Sequence, residues 1–286
     1  MIQLLMLAGL LFANKCVAGY SDSVSQVYEP ENQPVGASAI HLIGSVYGTM
    51  GTYSVGTRSR SASAYLTLSD EWRDYYTLGF ATLWLERDDL DGKYYSQELA
   101  SAQASWLLGY RTKLFTTYAY LHEGEIVSYS SPATFHFGGG GGSYWLSPTE
   151  QIGVSAMGSL SEGEVQSENF RGFFSFHIAE GIWATSAATF SKAKWTPSLF
   201  AFRQSVSVPI GSDSYLAASA EFGRHAFYFD DELLLVYNQR AVQTGYYLLK
   251  GTVRVFDRFY LIPSFEYDVF DEADVKYGSL GARMMF

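Results

Sequence analysis

The sequence predicts an all-β protein, a transmembrane, antiparallel, up-and-down β-barrel of about fourteen strands. Three observations predict it. From about residue 38 onward, apolar and polar residues alternate with a period of two, which places successive side chains on opposite faces of a strand. Aromatic residues reach 17% of the chain while charged residues are only 17%, against about 25% in average soluble domains. After residue 18 no apolar run could form a membrane helix, so a membrane-embedded chain must close into a barrel.

The N-terminal region predicts two segments that precede the barrel. Residues 1–18 contain an apolar run followed by small residues, Cys16 and Ala18, at the −3 and −1 positions of a cleavage site, which is typical of a secretory signal peptide. Cys16 is the only cysteine, so the mature chain is expected to have no disulfide and no catalytic thiol. Residues 19–36 are polar and contain proline; they form either a periplasmic tail or a plug inside the barrel. The barrel itself is predicted for residues 37–286.

Residues 73–86 show the strand pattern most clearly. Tyr76, Leu78, Phe80 and Trp84 share one face, and small or polar residues occupy the other. Tyr76 and Trp84 are eight residues apart, roughly 26 Å along a strand at about 3.3 Å per residue. With the strand tilt of a barrel, this separation matches the distance between the two aromatic girdles of a membrane barrel. Trp106, on the apolar face of residues 99–108, is a third expected girdle residue.

The connections alternate between short and long, and their number predicts the number of strands. Short turns are predicted at 69–74, 108–111, 147–150, 179–182, 208–213 and 256–259. Longer polar loops are predicted near 50–58, 87–93, 123–131, 160–168, 191–197, 229–242 and 270–275. Thirteen connections require fourteen strands, with short turns on the periplasmic side and long loops outside. Twelve strands is the next choice, because residues 229–242 either extend strands or form a folded external loop.

The last ten residues, YGSLGARMMF, continue the alternation to the end, with Phe286 and Met284 on one face and Arg283 on the other. A terminal aromatic residue on an alternating last strand resembles the assembly signal of bacterial outer-membrane proteins. The resemblance implies a location in the outer membrane of a Gram-negative bacterium. It also implies contact with outer-membrane lipid and lipopolysaccharide, and with the barrel-assembly machinery.

Charged residues on the face opposite the apolar stripe are predicted to line the lumen, because charge is costly against lipid. They are Arg171, Arg203, Glu221, His225, Lys250, Arg254, Glu266, Asp268 and Arg283. A hairpin centred near Ser212 pairs Arg203 with Glu221, and a similar hairpin around Arg258 pairs Lys250 with Glu266. The simpler interpretation is that this mixed-sign ladder satisfies buried charge and makes the wall rigid; recognition of a solute is the alternative.

Three features of the sequence are candidate sites. FGGGGGS, residues 137–143, lacks the ending of a P-loop, so it predicts a sharp strand bend or a close approach of another chain segment. DDLDG, residues 88–92, lacks the ligand spacing of a calcium loop and predicts a solvated acidic loop. Other acidic groups in the expected external loops either repel anions or bind divalent cations that bridge to lipopolysaccharide phosphates: Glu162, Glu164, Glu168, Asp230, Asp231, Glu232, Asp271, Glu272 and Asp274. The sequence predicts no metal centre and no cofactor.

The composition argues against two classes of function. The net charge of −10 disfavours nucleic acid as a partner. An enzyme needs an acid–base or nucleophilic constellation, but the five histidines are scattered and the His-x-Ser-Asn-Gly motif of phospholipase barrels is absent. Glu221 and His225 share an inward face and form the best pair present, for which a structural role is expected.

Gly-Tyr turns and tyrosine-rich strands, as in GYRTKLFTTYAYLHE at 109–123, resemble the small barrels of the YaiO type. Some relatives of that type accompany exopolysaccharide export. The sequence therefore predicts a passive, porin-like channel or an export conduit for small solutes or polymer. The alternative is a closed structural barrel whose acidic loops bind a partner or the cell surface. A third interpretation is a soluble sandwich in which the aromatic faces pack together.

Overall fold

The computed structural model describes residues 13–14, 40–70, 74–87, 93–124, 133–211, 213–226, 228–230, 235–237 and 241–286. The predicted tail, residues 19–36, lies outside these ranges, as does the predicted signal peptide except for residues 13–14. The strands are β1 (Ala13–Asn14), β2 (Ile40–Tyr53), β3 (Thr57–Asp70), β4 (Tyr75–Arg87), β5 (Lys93–Leu108), β6 (Thr112–Glu123), β7 (Ala133–Ser147), β8 (Glu150–Ser161), β9 (Glu164–Ala179), β10 (Ile182–Ala193), β11 (Leu199–Gly211), β12 (Ser214–His225), β13 (Tyr228–Asp230), β14 (Leu235–Tyr237), β15 (Gln243–Phe256), β16 (Phe259–Phe270) and β17 (Asp274–Met285).

Fourteen of these strands form one closed antiparallel barrel, made of β2 to β12 and β15 to β17. Each strand pairs with its neighbours in sequence, and β17 pairs with β2 to close the ring, with Ser279 opposite Thr49. A closed ring leaves no strand edge with unpaired backbone groups. The predicted up-and-down barrel of fourteen strands is confirmed, and the soluble sandwich is wrong. No helix of the described residues is long and apolar enough to cross a membrane.

The six short turns occur where they were predicted, between β3 and β4, β5 and β6, β7 and β8, β9 and β10, β11 and β12, and β15 and β16. We assign this end of the barrel to the periplasm. The predictions of long loops at 50–58, 160–168 and 270–275 are wrong, because only residues 54–56, 162–163 and 271–273 connect the strands there. Glu162 and Gly163 form a two-residue turn with positive φ angles of 52° and 79°, the geometry that suits a tight hairpin. The polar residues around it therefore extend β8 and β9 instead of forming a loop.

The connection between β12 and β15 is a folded external loop, which decides between the two alternatives for residues 229–242. Within it, β13 and β14 pair as a short hairpin, with Phe229 opposite Val236. β13 approaches β9 and β8, which lie three and four strands away around the wall from β12. This part of the loop therefore lies across the mouth of the barrel. The backbone of β1 pairs with β14, so these three strands form a small second sheet.

The two faces of the barrel wall differ in the way that the alternation predicts. Large apolar side chains on the outer face are exposed, for example Leu78 at 62%, Val154 at 64% and Phe200 at 58%. The inner face of the same strands carries buried serine, threonine and glutamine together with buried aromatic and aliphatic side chains. Only hydrocarbon can cover an apolar belt of this extent on a closed ring, so the outer face is the lipid-facing surface.

The glycine run of β7 lets its two neighbouring strands approach closely. A Cβ atom on Gly141 would lie 2.8 Å from Ser155 Cα, and one on Gly140 would lie 2.5 Å from the Phe115 carbonyl oxygen. These are backbone atoms, which cannot move aside as a flexible side chain can. Of the two roles predicted for FGGGGGS, the structure shows the close approach of chain segments.

Candidate functional site: the inner wall of the barrel

Hydroxyl pairs between neighbouring strands cover much of the inner wall. Their oxygen–oxygen distances range from 2.7 to 2.9 Å. The pairs are Thr49–Ser279, Thr67–Thr77, Ser159–Ser167, Ser175–Thr185 and Ser205–Ser219. Each pair stabilises its strand contact by about 0.2 to 1 kcal/mol. These short hydroxyl side chains make hydrophilic patches on a wall that also carries large buried residues, among them Tyr65, Phe137 and Trp183.

A charged network crosses β11, β12, β15 and β16 on the inner face. Arg203 Nε donates to Glu221 Oε2 over 2.8 Å, and the register places these residues directly opposite each other, as predicted. The other carboxylate oxygen of Glu221 lies 3.0 Å from His225 Nδ1. His225 Nε2 is 2.5 Å from the side-chain oxygen of Gln243, and Gln243 Nε2 donates to Asp268 over 3.0 Å. Each contact joins residues of the same or adjacent strands, so the network runs along the wall.

The predicted pairing of Lys250 with Glu266 is wrong by two residues. Lys250 lies opposite Ser264, and Glu266 lies opposite Leu248. The turn at Asp257 and Arg258 is tighter than a hairpin centred on Arg258, and a β-bulge between Arg254 and Phe256 shifts the register. A shift of two residues does not change the face of the sheet on which a side chain lies. Both side chains therefore stay on the inner face, where they are buried.

The other predicted lumen residues lie at different heights on the same face. Arg171 is half-buried on β9, with its guanidinium 5.9 Å from the Phe173 ring. Arg254 lies at the periplasmic rim and pairs with Asp213 and Asp257, so it ties two periplasmic turns together. Arg283 is half-buried near the end of β17, opposite Tyr260 and Ser45. That all nine charged residues line an open pore stays a prediction.

An apolar cluster on the inner face near the external end was missed by the sequence analysis. Its members are Tyr53, Leu83, Leu85, Tyr95, Ala241, Phe270, Ala273, Val275 and Tyr277. Leu83 and Leu85 continue the inner face of β4, so following the alternation past Ala81 would have found them. Ala241 ends the loop across the mouth, and its place in the cluster shows that this end of the loop packs against the inner wall. The external half of the lumen is therefore charged on one side and apolar on the other.

The predicted girdle residues face outward. Tyr76 and Trp106 meet at the periplasmic end, where Trp106 Nε1 donates to the Tyr76 hydroxyl over 3.2 Å and their ring centroids are 6.5 Å apart. Trp84 lies near the external end of β4, opposite Arg60. Met284 and Phe286, the predicted assembly signal, are exposed on the outer face, and the Phe286 amide donates to the Leu42 carbonyl. Their role in assembly stays a prediction.

The acidic residues expected in the external loops divide into two groups. Those at 88, 89, 91, 231 and 232 lie outside the described residues. Of the rest, Glu164 pairs with Lys194, and Asp274 accepts a hydrogen bond from the Tyr267 hydroxyl over 2.8 Å. Burial, together with the neighbouring Asp271 carboxylate, raises the pKa of Glu272. Among the described residues, no group of three His, Cys, Asp or Glu side chains is arranged to hold a metal ion.

Comparison with known proteins shows the class. No protein-family model matches the chain, and no curated protein sequence matches it. Solved structures do match. The CymD monoaromatic hydrocarbon channel superposes with a TM-score of 0.55 at 9% identity, over 98% of this chain and 97% of that one. The deltaS2 mutant of the TodX monoaromatic hydrocarbon channel gives a TM-score of 0.55 at 8% identity, over 86% of this chain and 88% of that one.

A third match is the Acinetobacter baumannii outer membrane protein Omp33, with a TM-score of 0.48 and 10% identity over 86% of this chain and 99% of that one. At these identities the likeness shows the fold. With the lipid-facing exterior, it places the chain in the class of bacterial outer-membrane β-barrels, which is the class and location that the sequence predicted. The subfamily is not identified, so the resemblance to YaiO-type barrels stays a prediction.

Proposed function

We propose that this barrel is a passive outer-membrane channel for small solutes. The observation that carries the proposal is the inner wall of the fourteen-strand ring, which bears hydroxyl pairs between neighbouring strands and, on β11, β12, β15 and β16, a charged network. Barrels with few strands fill their interiors, and barrels of 16 to 18 strands enclose an aqueous channel, so fourteen strands lies between these cases. The polar part of the wall supports a lumen that can hold water and solute.

The charged network indicates that the described conformation is closed at its level. Arg203, Glu221, Lys250 and Asp268 are between 0% and 7% exposed. Side chains on the wall of an open, water-filled lumen would be in contact with solvent. Conduction therefore requires movement of the chain segments that cover the charged network. The loop across the mouth and the tail at residues 19–36 are the two segments to test.

Conductance in planar lipid bilayers tests the proposal. The mature chain, beginning at residue 19, is compared with a variant that lacks residues 19–36. Folding of both is checked first, by the difference in electrophoretic mobility between heated and unheated samples. We expect discrete conductance steps in the deletion variant, with smaller or rarer steps in the full mature chain. Two folded proteins that both fail to conduct would overturn the channel.

A second candidate function is a closed structural barrel whose external loops bind a partner or the cell surface. The apolar cluster favours it, because its side chains, Ala241 among them, are buried on one side of the lumen near the external end. The same bilayer measurement separates the two functions. A folded barrel that lacks conductance, with or without residues 19–36, is the result that the structural barrel predicts.

A further inference from the structure

Three basic side chains project from the outer face at the level of the external aromatic girdle. Arg58 and Arg60 lie on β3 and Lys276 lies on β17, and all three are exposed. Arg58 is opposite Thr52 on β2, and Thr52 is opposite Lys276, so these residues form one row across three adjacent strands. The next row places Arg60 opposite Trp84, the predicted girdle residue. The cations therefore lie where the lipid headgroups of the external leaflet begin.

Two carboxylates accompany these cations, all three of which stay exposed. Glu86 lies opposite Arg58 and 3.6 Å from Arg60, whose side chain remains 58% exposed. Asp274 is engaged by the Tyr267 hydroxyl, and Lys276 lies 5.9 Å above the same tyrosine ring. The whole chain carries a net charge of −10, so a positive cluster on its lipid-facing surface runs against its overall charge. Clustered arginines at a water–lipid boundary match phosphate groups, which they bind through paired, charge-assisted hydrogen bonds.

Directly below the cations, toward the middle of the membrane, the outer surface is a strip of small residues. Its members are Gly48, Ala62 and Ala64, and Gly278 borders it in the same row as Arg60. A Cβ atom on Gly48 or Gly278 would meet no atom of the described structure within 4 Å, so packing within the chain does not require glycine there. Glycine weakens a strand and often marks a close approach by a ligand. The strip continues into an outer groove of about 560 Å³ lined by Val46, Phe80 and Ala282, among others.

We propose that this surface binds lipopolysaccharide of the external leaflet, with Arg58, Arg60 and Lys276 holding the lipid A phosphates and the small-residue strip receiving an acyl chain. From Arg60 to Ala64 the strand runs about 13 Å at about 3.3 Å per residue. Because the strands of such barrels tilt by about 35 to 45°, this length spans about 10 Å of membrane depth, which is less than half of an apolar band about 25 Å tall. The site is on the outer face of β17, β2 and β3, so it is separate from the lumen and independent of channel activity.

Native mass spectrometry of the folded, full mature chain tests the site, with bisphosphorylated lipid A as the probe. The test variant is Arg58→Gln/Arg60→Gln. The matched control, Lys192→Gln/Arg224→Gln, removes two exposed cations from the outer face of β10 and the end of β12. Losing charged hydrogen bonds to phosphate should weaken lipid A binding by about tenfold or more in the test variant. The control should bind like the unaltered protein.

Two further sets of binding measurements test the identity of the ligand and the role of the small-residue strip. Dephosphorylated lipid A and phosphatidylglycerol should both bind more weakly than bisphosphorylated lipid A, and equal binding by either would overturn the assignment to lipid A phosphates. Gly48→Leu keeps every charge but fills the strip, so it should also weaken binding of lipid A. Unchanged affinity in Gly48→Leu would remove the strip from the site. Equal loss in the test and control double variants would sink the whole proposal.

Discussion

Arg203 and Glu221 face each other across β11 and β12 in the barrel interior, joined by a hydrogen bond of 2.8 Å between Nε and Oε2. Both side chains are buried, and Arg203 also lies 4.9 Å from the Tyr246 ring. A buried charge is tolerated when its partner and its hydrogen bonds compensate for the lost hydration. Through Arg203, the pair therefore links β11, β12 and β15, and its two buried charges compensate each other.

Removing one member of this pair should destabilise the barrel more than removing both. Arg203→Met leaves the Glu221 carboxylate buried with His225 as its remaining partner, and we expect the free energy of unfolding to fall by about 3 kcal/mol. Arg203→Met/Glu221→Leu should recover part of that loss. Urea unfolding in lipid vesicles, followed by tryptophan fluorescence, measures both. A double variant that is less stable than the single variant would show that the ion pair is not the cause.

The glycine run of β7 contains its own matched control. A side chain on Gly141 would collide with the backbone of β8, whereas a Cβ on Gly138 meets no atom of the described structure within 4 Å. Gly141→Ala should therefore lower the free energy of unfolding by about 1 to 3 kcal/mol through overpacking. Gly138→Ala should be neutral or slightly stabilising, because alanine restricts the unfolded chain. Unfolding midpoints in urea compare the two, and equal midpoints would contradict the close approach.

Pairing registers were predictable from the sequence where the turn was regular. The register of Arg203 and Glu221 followed from a tight turn and from aligning the apolar stripe of β11 with that of β12. The register of Lys250 did not, because a bulge near Phe256 adds a residue that the alternation does not reveal. The apolar cluster at the mouth was also missed, since Ala241 and Val275 come together only after the barrel closes. Local alternation fixes the face of a residue, but long-range closure decides its partners.

Arg171 offers a test of which charges face solute in the open form. It is half-buried on β9, away from the network on β11 to β16, so its substitution leaves that network intact. In the variant that lacks residues 19–36, Arg171→Gln should shift the reversal potential in a salt gradient toward cation selectivity. Lys192→Gln, on the outer face of β10, is the control and should leave the reversal potential unchanged. Identical reversal potentials for both variants would place Arg171 away from the conduction path.

Closure of the barrel can be tested directly, because the only cysteine lies in the predicted signal peptide and the mature chain should be free of thiols. Thr49 and Ser279 face each other where β2 meets β17, with their hydroxyl oxygens 2.8 Å apart. Thr49→Cys/Ser279→Cys should therefore form a disulfide on mild oxidation, since directly opposed strand residues meet the distance limits for the bond.

The matched control for closure is Ser45→Cys/Ser279→Cys. Ser45 lies opposite Arg283, so it is four residues, or about 13 Å along the strand, from the position facing Ser279. Electrophoresis without reductant, before and after oxidation, detects the cross-linked species, because a link between β2 and β17 joins the two ends of the barrel into one loop. It should show that species for the first pair only. Cross-linking of both pairs would indicate that the register of β2 against β17 is not fixed, and cross-linking of the control alone would place the closing register four residues away.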